Sequence, residues 1–277
     1  MYFFIFIIGA SIGSFLNVLI DRLPRGESIM GRSHCDHCQK KIAWYDLIPI
    51  LSFIFLGGKS RCCNKKLSLQ YPLVEAITGI SFFEIFNFQF PIFIEFSISN
   101  FQFFKLLSLW GIISCLIVIF FSDLKYHLIS DWVLLALFVF SLLYKVWTPS
   151  FDGVTKGIMG VTNWVIPAQA GIQSIISGLI VASPIFLIYY ISHERAMGLG
   201  DVYLSAIMGF LLGWKDGFIA LYIAFVTGAI FGLGLIILHR KKFRSKIPFG
   251  PFLVTGTIIM LFWGEKIFDI IKRIYGF

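Results

Sequence analysis

Two aspartates of this 277-residue chain occur where they could do chemistry. Asp123 follows a long apolar run, and Asp201 ends the tetrapeptide Gly198-Leu199-Gly200-Asp201, directly before another apolar run. In a close pair of carboxyls, the ionised carboxylate can take a proton from water, while the protonated carboxyl donates to a peptide carbonyl and then protonates the leaving amine. These residues therefore predict aspartyl protease chemistry. The alternative interpretation is that both are ordinary helix-end residues, because aspartate is a common N-cap.

Two glycines, Gly198 and Gly200, directly precede the helix that Asp201 is expected to begin. Glycine permits backbone angles and close approaches that a side chain would prevent. We therefore expect these two glycines to support the loop that carries Asp201.

Four of the five cysteines, Cys35, Cys38, Cys62 and Cys63, fall in one polar segment, whereas Cys115 lies in an apolar run. The Cys35-x2-Cys38 spacing is typical of one half of a tetrahedral zinc site. In a reducing cytosol these cysteines favour a metal over disulfides, and His34 or His37 could complete the ligand set. The second half is irregular, because adjacent cysteines rarely bind one metal together. The alternative is a reduced, metal-free knuckle.

The composition predicts a membrane protein. The chain is 58% apolar and contains 32 phenylalanines, but only 14% of its residues are charged, whereas a soluble domain has about 25%. A water-soluble fold could not hide this much apolar surface, so the lipid bilayer is the expected solvent. The formal net charge is +8. In a membrane protein this excess is explained by basic residues in the loops on one side of the membrane, so nucleic acid is not an expected partner.

Eight apolar stretches predict an all-α polytopic membrane protein with about eight transmembrane helices, several of them near the ~20 residues that cross a bilayer. The predicted spans are 2–20, 72–90, 104–122, 131–148, 174–192, 201–214, 216–238 and 249–264. We expect a first transmembrane helix at 1–20, a small cytoplasmic cysteine-knuckle domain at 21–71 and a membrane-embedded domain at 72–277. Small residues at four-residue spacing in the first helix, including Gly9 and Gly13, predict close helix packing.

The distribution of basic residues predicts which loops face the cytoplasm. Eight crossings place 21–71, 123–130, 193–200 and 239–248 on one side, and these segments hold 16 of the 23 basic residues. The positive-inside rule makes that side cytoplasmic. Asp123 and Asp201 then both lie at the cytoplasmic membrane face. The basic C-terminal tail could form a short amphipathic helix, and the long outward loop at 149–173 has no assigned function.

Several motifs, in the same order, make the chain resemble the type IV prepilin peptidases, a branch of the GxGD membrane aspartyl proteases. The tetrapeptide ending at Asp201 matches the GxGD signature, and Asp123 matches the first catalytic aspartate. Two positions depart from the pattern: Ser130 replaces the proline of the usual Ile-Pro-Asp, and Ser60 stands where the family usually has a cysteine. The other matching motifs are GSFLNVLIDRLPRG (Gly13 to Gly26), Arg32 to Cys38, Trp44-Tyr45-Asp46, Leu69 to Glu75 and Ile247 to Phe252.

The resemblance implies an enzyme of the bacterial inner membrane that cleaves the leader peptides of prepilins and pseudopilins at the cytoplasmic face. It also implies methylation of the new N-terminal amine from S-adenosylmethionine, because family members with the large N-terminal cytoplasmic domain are commonly bifunctional. Residues 21–71 supply that domain here. The sequence itself contains no recognisable pocket for the methyl donor.

Three alternatives stay open from the sequence. A transporter could use the two aspartates as a proton or cation path, although transport sites tend to lie near the membrane midplane and these aspartates lie at span ends. A membrane-anchored zinc-knuckle module would leave the paired aspartates unexplained. A protease without methyltransferase activity is compatible with the irregular second cysteine pair.

Overall fold

The apolar stretches form helices in the computed structural model, which describes residues 2–35, 37–89, 100–147, 168–194, 197–238 and 248–275. Among these residues eight helices are long. They are α1 Tyr2–Arg22, α3 Gln70–Gln89, α4 Asn100–Tyr126, α5 Asp131–Trp147, α6 Ala168–Ser192, α7 Leu199–Leu212, α8 Trp214–Ile237 and α9 Gly250–Tyr275. A 3₁₀ helix at Trp44–Leu47 and the short helix α2, Leu51–Phe55, lie between α1 and α3.

Each of the eight predicted stretches coincides with one long helix, so the all-α polytopic membrane fold is confirmed, while the number of crossings stays a prediction. Four helices are long and apolar enough to cross a bilayer, over Tyr2–Arg22, Gln102–Tyr126, Gly171–Ser192 and Trp214–Ile237. Two shorter apolar helices, Leu199–Leu212 and Gly250–Gly264, accompany them. They carry the Asp201 motif and the C-terminal motif, respectively.

Two expectations about helix boundaries need correction. The predicted last span, 249–264, agrees with the apolar part of α9, Gly250–Gly264, but the expected separate tail helix is wrong, because α9 continues without a break to Tyr275. The predicted loop at 149–173 ends early, because α6 begins at Ala168; the rest of this loop lies outside the described residues. The basic stretch from Arg240 to Lys246, used for the sidedness argument, also lies outside them.

The chain forms two compact units, Met1–Ser122 and Asp123–Phe277. In the first unit α1 packs along α3, as the small residues of α1 predict. A Cβ atom on Gly13 would lie 2.7 Å from the Cα atom of Glu75, and one on Gly9 would lie 2.8 Å from the Cα atom of Gly79. Glycine at these positions therefore lets the two backbones touch.

The polar segment between α1 and α3 contains two similar knuckles. In the first, the Cys35 N–H donates to the carbonyl of Lys40, and the Gln39 N–H donates to the carbonyl of Cys35. In the second, Ser60 and Asn64 repeat this pattern, with Ser60 donating to the carbonyl of Lys65. Gln39 and Asn64 have φ angles of 58° and 59°, as a tight left-handed turn requires. The hydrogen bonds therefore make Ser60 the equivalent of Cys35.

In the second unit α7 is the central helix. It contacts α5, α6, α8 and α9, and most of its residues are buried, including polar ones. Close approach again depends on glycine: a Cβ atom on Gly209 would lie 2.7 Å from the carbonyl oxygen of Ser177 and 2.7 Å from the Cβ atom of Val181. The position of α7 against α6 is thereby fixed by backbone contact.

The Gly209→Ala substitution should therefore destabilise the second unit, by about 1–3 kcal/mol, the usual cost of overpacking. Thermal unfolding in detergent, followed by tryptophan fluorescence, would measure the effect as a lower Tm. The matched control is Gly234→Ala in α8, because a Cβ atom there would meet nothing within 4 Å. Equal Tm values for both variants would contradict the close packing of α6 and α7.

Candidate functional site

Asp123 lies one turn before the end of α4 and is buried, with 6% of its surface exposed. A buried carboxylate needs hydrogen-bond donors. Its Oδ2 atom accepts a hydrogen bond from the backbone N–H of Gly250 at 3.0 Å, at the start of α9. A Cβ atom on residue 250 would lie 2.6 Å from the same oxygen, so only glycine permits this contact. The C-terminal motif thus contributes directly to the site.

Asp201 lies in the first turn of α7 and is also buried, with 8% of its surface exposed. Its Oδ2 atom accepts a hydrogen bond from the backbone N–H of Gly198, the N-cap residue, at 3.3 Å. The N-terminus of a helix favours a carboxylate, because the free N–H groups and the helix dipole both attract negative charge.

The two glycines of the motif differ in what they provide. Gly198 has extended backbone angles, with φ −87° and ψ 161°, which other residues also adopt. Gly200 instead permits close packing, because a Cβ atom there would lie 3.1 Å from the Cβ atom of Ile129.

The loop after α4 brings the parts of the site together. The Cδ1 atom of Ile129 also lies 3.3 Å from where a Cβ atom on Gly250 would be, so Ile129 contacts the starts of both α7 and α9. The missing proline at Ser130 does not prevent the turn: the Ser130 carbonyl accepts hydrogen bonds from the N–H groups of Val133 and Leu134, and α5 begins at Asp131.

Ile129 brings the two carboxyls to one end of the second unit, because it packs against Gly200, next to Asp201, and against Gly250, whose N–H donates to Asp123. Neither forms an ion pair with a described basic residue. Two carboxyls that interact in a buried place cannot both ionise easily, so the arrangement is suited to sharing a proton. The second unit thus contains two buried carboxyls, each with a backbone N–H donor.

The four cysteines of the polar segment converge in the first unit. All four sulfur atoms lie within 4.8 Å of one another. The Cys35 and Cys63 sulfurs are 3.7 Å apart, and those of Cys38 and Cys62 are 3.0 Å apart. Four thiolates around zinc would be about 3.8 Å apart, as bonds of ~2.3 Å at tetrahedral angles require. The Cys35–Cys63 separation is close to this value and the Cys38–Cys62 separation is shorter, so the four sulfurs, including those of the adjacent Cys62 and Cys63, form a group that could hold one metal ion.

Ser60 lies inside this cluster without supplying a sulfur. Its hydroxyl is 3.4 Å from the Cys35 sulfur and 3.0 Å from the Cys62 sulfur. Although Ser60 holds the first position of the second knuckle, the sulfur comes from Cys62, two residues later. The sequence shows serine where the family usually has cysteine, and the hydrogen bonds of the knuckle add that Ser60 holds the position equivalent to Cys35.

The thiols of the cluster differ in acidity. Burial alone would raise the pKa of the Cys35 thiol, but hydrogen bonds with Ser60, with the backbone of Cys38 and His37 and with Cys62 lower it to about 6. The hydrogen bond with Cys62 raises the pKa of the Cys38 thiol to about 12. Cys35 therefore supplies a thiolate near neutral pH, and thiolates are the form that binds metals.

Each half of the chain matches a family model of known proteins. Residues 7–88 match the model of the bacterial peptidase A24 N-terminal domain, and residues 110–233 match that of the type IV leader peptidase family. A prepilin leader peptidase/N-methyltransferase of Legionella pneumophila is 30% identical over 97% of this chain and 93% of its own length. The chain belongs to the type IV leader peptidase family.

Other relatives carry the same name and align over nearly the whole chain. The protein of Bacillus subtilis (strain 168) is 30% identical over 95% of this chain and 94% of its own length. That of Aeromonas salmonicida (strain A449) is 30% identical over 96% of this chain and 92% of its own length. No solved structure matches the chain.

The low pKa of Cys35 predicts a pH-dependent signal in the reduced, metal-free protein. A thiolate should appear as the pH rises through about 6, since Cys35 is protonated below its pKa and ionised above it. The ultraviolet absorbance of the thiolate would report this step during a pH titration. The step should be absent from Cys35→Ser and retained in Cys115→Ser, a control outside the cluster. A step near pH 6 that persists without Cys35 would contradict this assignment.

Proposed function

We propose that this chain is an aspartyl endopeptidase of the bacterial inner membrane that removes the leader peptides of type IV prepilins and pseudopilins, with Asp123 and Asp201 as its catalytic residues. The observation that carries the proposal is the juxtaposition of two buried carboxylates from α4 and α7, each held by a backbone N–H. Their residues lie within 110–233, the part of the chain that matches the leader peptidase family.

The proposed reaction uses the shared proton of the pair. The ionised carboxylate takes a proton from a water molecule, whose oxygen then attacks the carbonyl carbon of the scissile peptide. The protonated carboxyl donates a hydrogen bond to the carbonyl oxygen. As the carbon–nitrogen bond breaks, a proton passes from the pair to the leaving nitrogen, and the pair is left sharing one proton again. Gly198 and Gly200 support the loop of Asp201, and the Gly250 N–H orients Asp123.

We place the catalytic face in the cytoplasm. The supporting argument is the excess of basic residues in the segments that share a side with both aspartates. A substrate with its leader in the cytoplasm and its apolar segment in the bilayer would present the cleavage site at this membrane boundary. The enzyme then has two partners, the prepilin substrate and the surrounding lipid bilayer.

The proposal includes a second activity, methylation of the amine that cleavage exposes. The printed name of the relatives, prepilin leader peptidase/N-methyltransferase, supports it. S-adenosylmethionine, when bound, would supply the methyl group. We assign this activity to the cytoplasmic cysteine domain at 21–71 together with the flanking helices, and peptidase activity to the membrane-embedded domain at 72–277.

We further propose that Cys35, Cys38, Cys62 and Cys63 bind one structural zinc ion. The spacing of their sulfurs supports this assignment, and so does the thiolate character of Cys35. Four protein ligands leave no open position on a tetrahedral ion, so the metal would stabilise the domain and not take part in chemistry.

Replacement of either aspartate should abolish leader cleavage. Asp123→Asn and Asp201→Asn each remove an ionisable member of the pair, so the cleavage rate should fall at least ~100-fold. Purified protein in detergent, a prepilin substrate and mass spectrometry of the products would measure this. Asp269→Asn is the matched control, because Asp269 is exposed on α9. Persistent cleavage by either catalytic variant would rule out the pair.

The same assay separates the alternatives. Radiolabelled S-adenosylmethionine would label the cleaved pilin if both activities are present, and both aspartate variants should still label a pilin supplied in its cleaved form. Cleavage without label would leave a protease alone. If folded wild-type protein cleaves none of several prepilins, the peptidase proposal fails.

Zinc binding should depend on the sulfur of Cys62. Cys62→Ser should reduce the zinc measured by atomic emission to well below one ion per chain. Adding Ser60→Cys to Cys62→Ser should restore it, because residue 60 holds the position in the second knuckle that Cys35 holds in the first. Cys115→Ser should change nothing. Full zinc occupancy in Cys62→Ser would show that Cys62 is not a ligand.

A further inference from the structure

A cavity of about 490 Å³ lies in the first unit, between the α1–α3 pair and the cysteine segment. This volume lies within the ~300–1,000 Å³ typical of small-molecule sites. Its wall combines carboxylates with aromatic rings, among them Asp21, Tyr45, Asp46 and Tyr71. These residues belong to the N-terminal, Trp-Tyr-Asp and second-helix motifs, none of which the aspartate pair of the second unit uses.

One buried polar group of the cavity wall has no partner. Asn17, on α1, is only 4% exposed, and its Nδ2 atom donates to the carbonyl of Tyr71 at 3.1 Å. Its Oδ1 atom is buried and accepts no hydrogen bond. Buried acceptors in native proteins are almost always satisfied. A ligand with an N–H group in the cavity would satisfy this one.

A buried carboxylate lines the same cavity. Glu75, on α3, is 7% exposed, and its Oε2 atom accepts a hydrogen bond from the Ile50 N–H at 2.7 Å. It forms no ion pair with a described basic residue. A buried carboxylate is costly without a cation. Its position is nevertheless enforced, because Gly13 brings the backbone of α1 against Glu75 itself.

The residue that donates to Glu75 has a strained backbone. Ile50 has a φ of +61°, which β-branched residues rarely adopt. Its N–H is held in this conformation by the Glu75 carboxylate. Strained backbone is concentrated at functional sites, where the surrounding structure maintains it.

Four basic residues line the cavity, Arg22, Arg25, Lys41 and Arg61. Arg61 makes a bidentate contact with Asp46, with the closest atoms 2.9 Å apart, and the Arg22 guanidinium donates to three backbone carbonyls. Glu75 has hydrogen bonds with the Ile50 N–H and with Ser14 but no ion pair with a described basic residue, and Asn17 Oδ1 has no donor. The wall therefore favours a ligand with an N–H group and a positive charge, with a negative group for its basic residues, and the aromatic rings offer apolar surface to a planar base.

We propose that this cavity binds the methyl donor S-adenosylmethionine, with Glu75 facing one of its positive charges and Asn17 Oδ1 accepting a hydrogen bond from one of its N–H groups. The inference rests on the proposed methyltransferase activity and names its donor site. The donor carries a sulfonium, an ammonium and an adenine amino group, which suit Glu75 and Asn17 Oδ1, and a carboxylate, which suits the basic residues of the wall. Cys35 and Cys62 also line the cavity, so the proposed zinc ion would stabilise one of its walls.

Equilibrium dialysis of purified protein with radiolabelled S-adenosylmethionine, without any pilin, would test the proposal by binding alone. Glu75→Gln should weaken binding at least ten-fold, and Asn17→Leu should weaken it as well. Glu84→Gln is the matched control, since Glu84 is exposed on the same helix and does not line the cavity; its affinity should equal that of wild type. Removal of zinc by a chelator should also weaken binding.

The folding of each variant would be checked by its Tm and zinc content. Tyr45→Ala, at a partly exposed position of the cavity wall, gives a second test that leaves the buried pair intact, and it should also weaken binding. If folded Glu75→Gln and Tyr45→Ala bind S-adenosylmethionine as tightly as wild type, the proposed site is overturned. The methyl donor would then bind at another place in the chain. If wild-type protein cleaves prepilin but does not bind S-adenosylmethionine, the site and the methyltransferase proposal are both overturned, whereas the peptidase proposal stands.

Discussion

Carboxylates are buried among apolar helices in both units. A buried carboxylate is costly unless nearby groups donate hydrogen bonds to it and leave room for its oxygens. Asp123 obtains both from Gly250, whose N–H donates to the carboxylate and whose missing Cβ leaves room for it. Asp201 obtains its donor at the start of its own helix, from Gly198. Each carboxylate therefore has a backbone donor, and at Gly250 a larger residue would clash with the carboxylate itself.

In the first unit a glycine also determines where a buried carboxylate lies. Gly13 on α1 lies against the backbone of Glu75 on α3, so a close helix contact fixes a buried carboxylate beside the cavity. Small residues in transmembrane helices are usually explained by packing alone, since they let helices approach. Here the approach also decides where an acidic group lies, which links the packing of α1 and α3 to the proposed donor site.

The sequence predicts the long helices well, because apolar length is a local property of the chain. Asp123 and Asp201 are both buried in the second unit, and their catalytic role stays a prediction. The eight stretches appear as eight long helices among the described residues. The contribution of Gly250 to Asp123 was not predicted, since it joins residues 127 positions apart. The C-terminal motif that contains Gly250 was visible in the sequence, but only the tertiary contact gives it a role. The continuation of α9 was missed because its basic, less apolar end was interpreted as a separate tail.

The cysteine segment shows why a departure from a motif need not remove the function. The backbone of the second knuckle keeps its hydrogen bonds with serine at position 60, so the turn does not require the sulfur. The sulfur of Cys62 reaches the cluster from two residues further along, and Ser60 keeps a hydrogen-bonding contact with Cys35. Since this cluster and the cavity are complete within the first unit, and the aspartate pair within the second, a mutation could remove donor binding without removing the groups that cleave the leader.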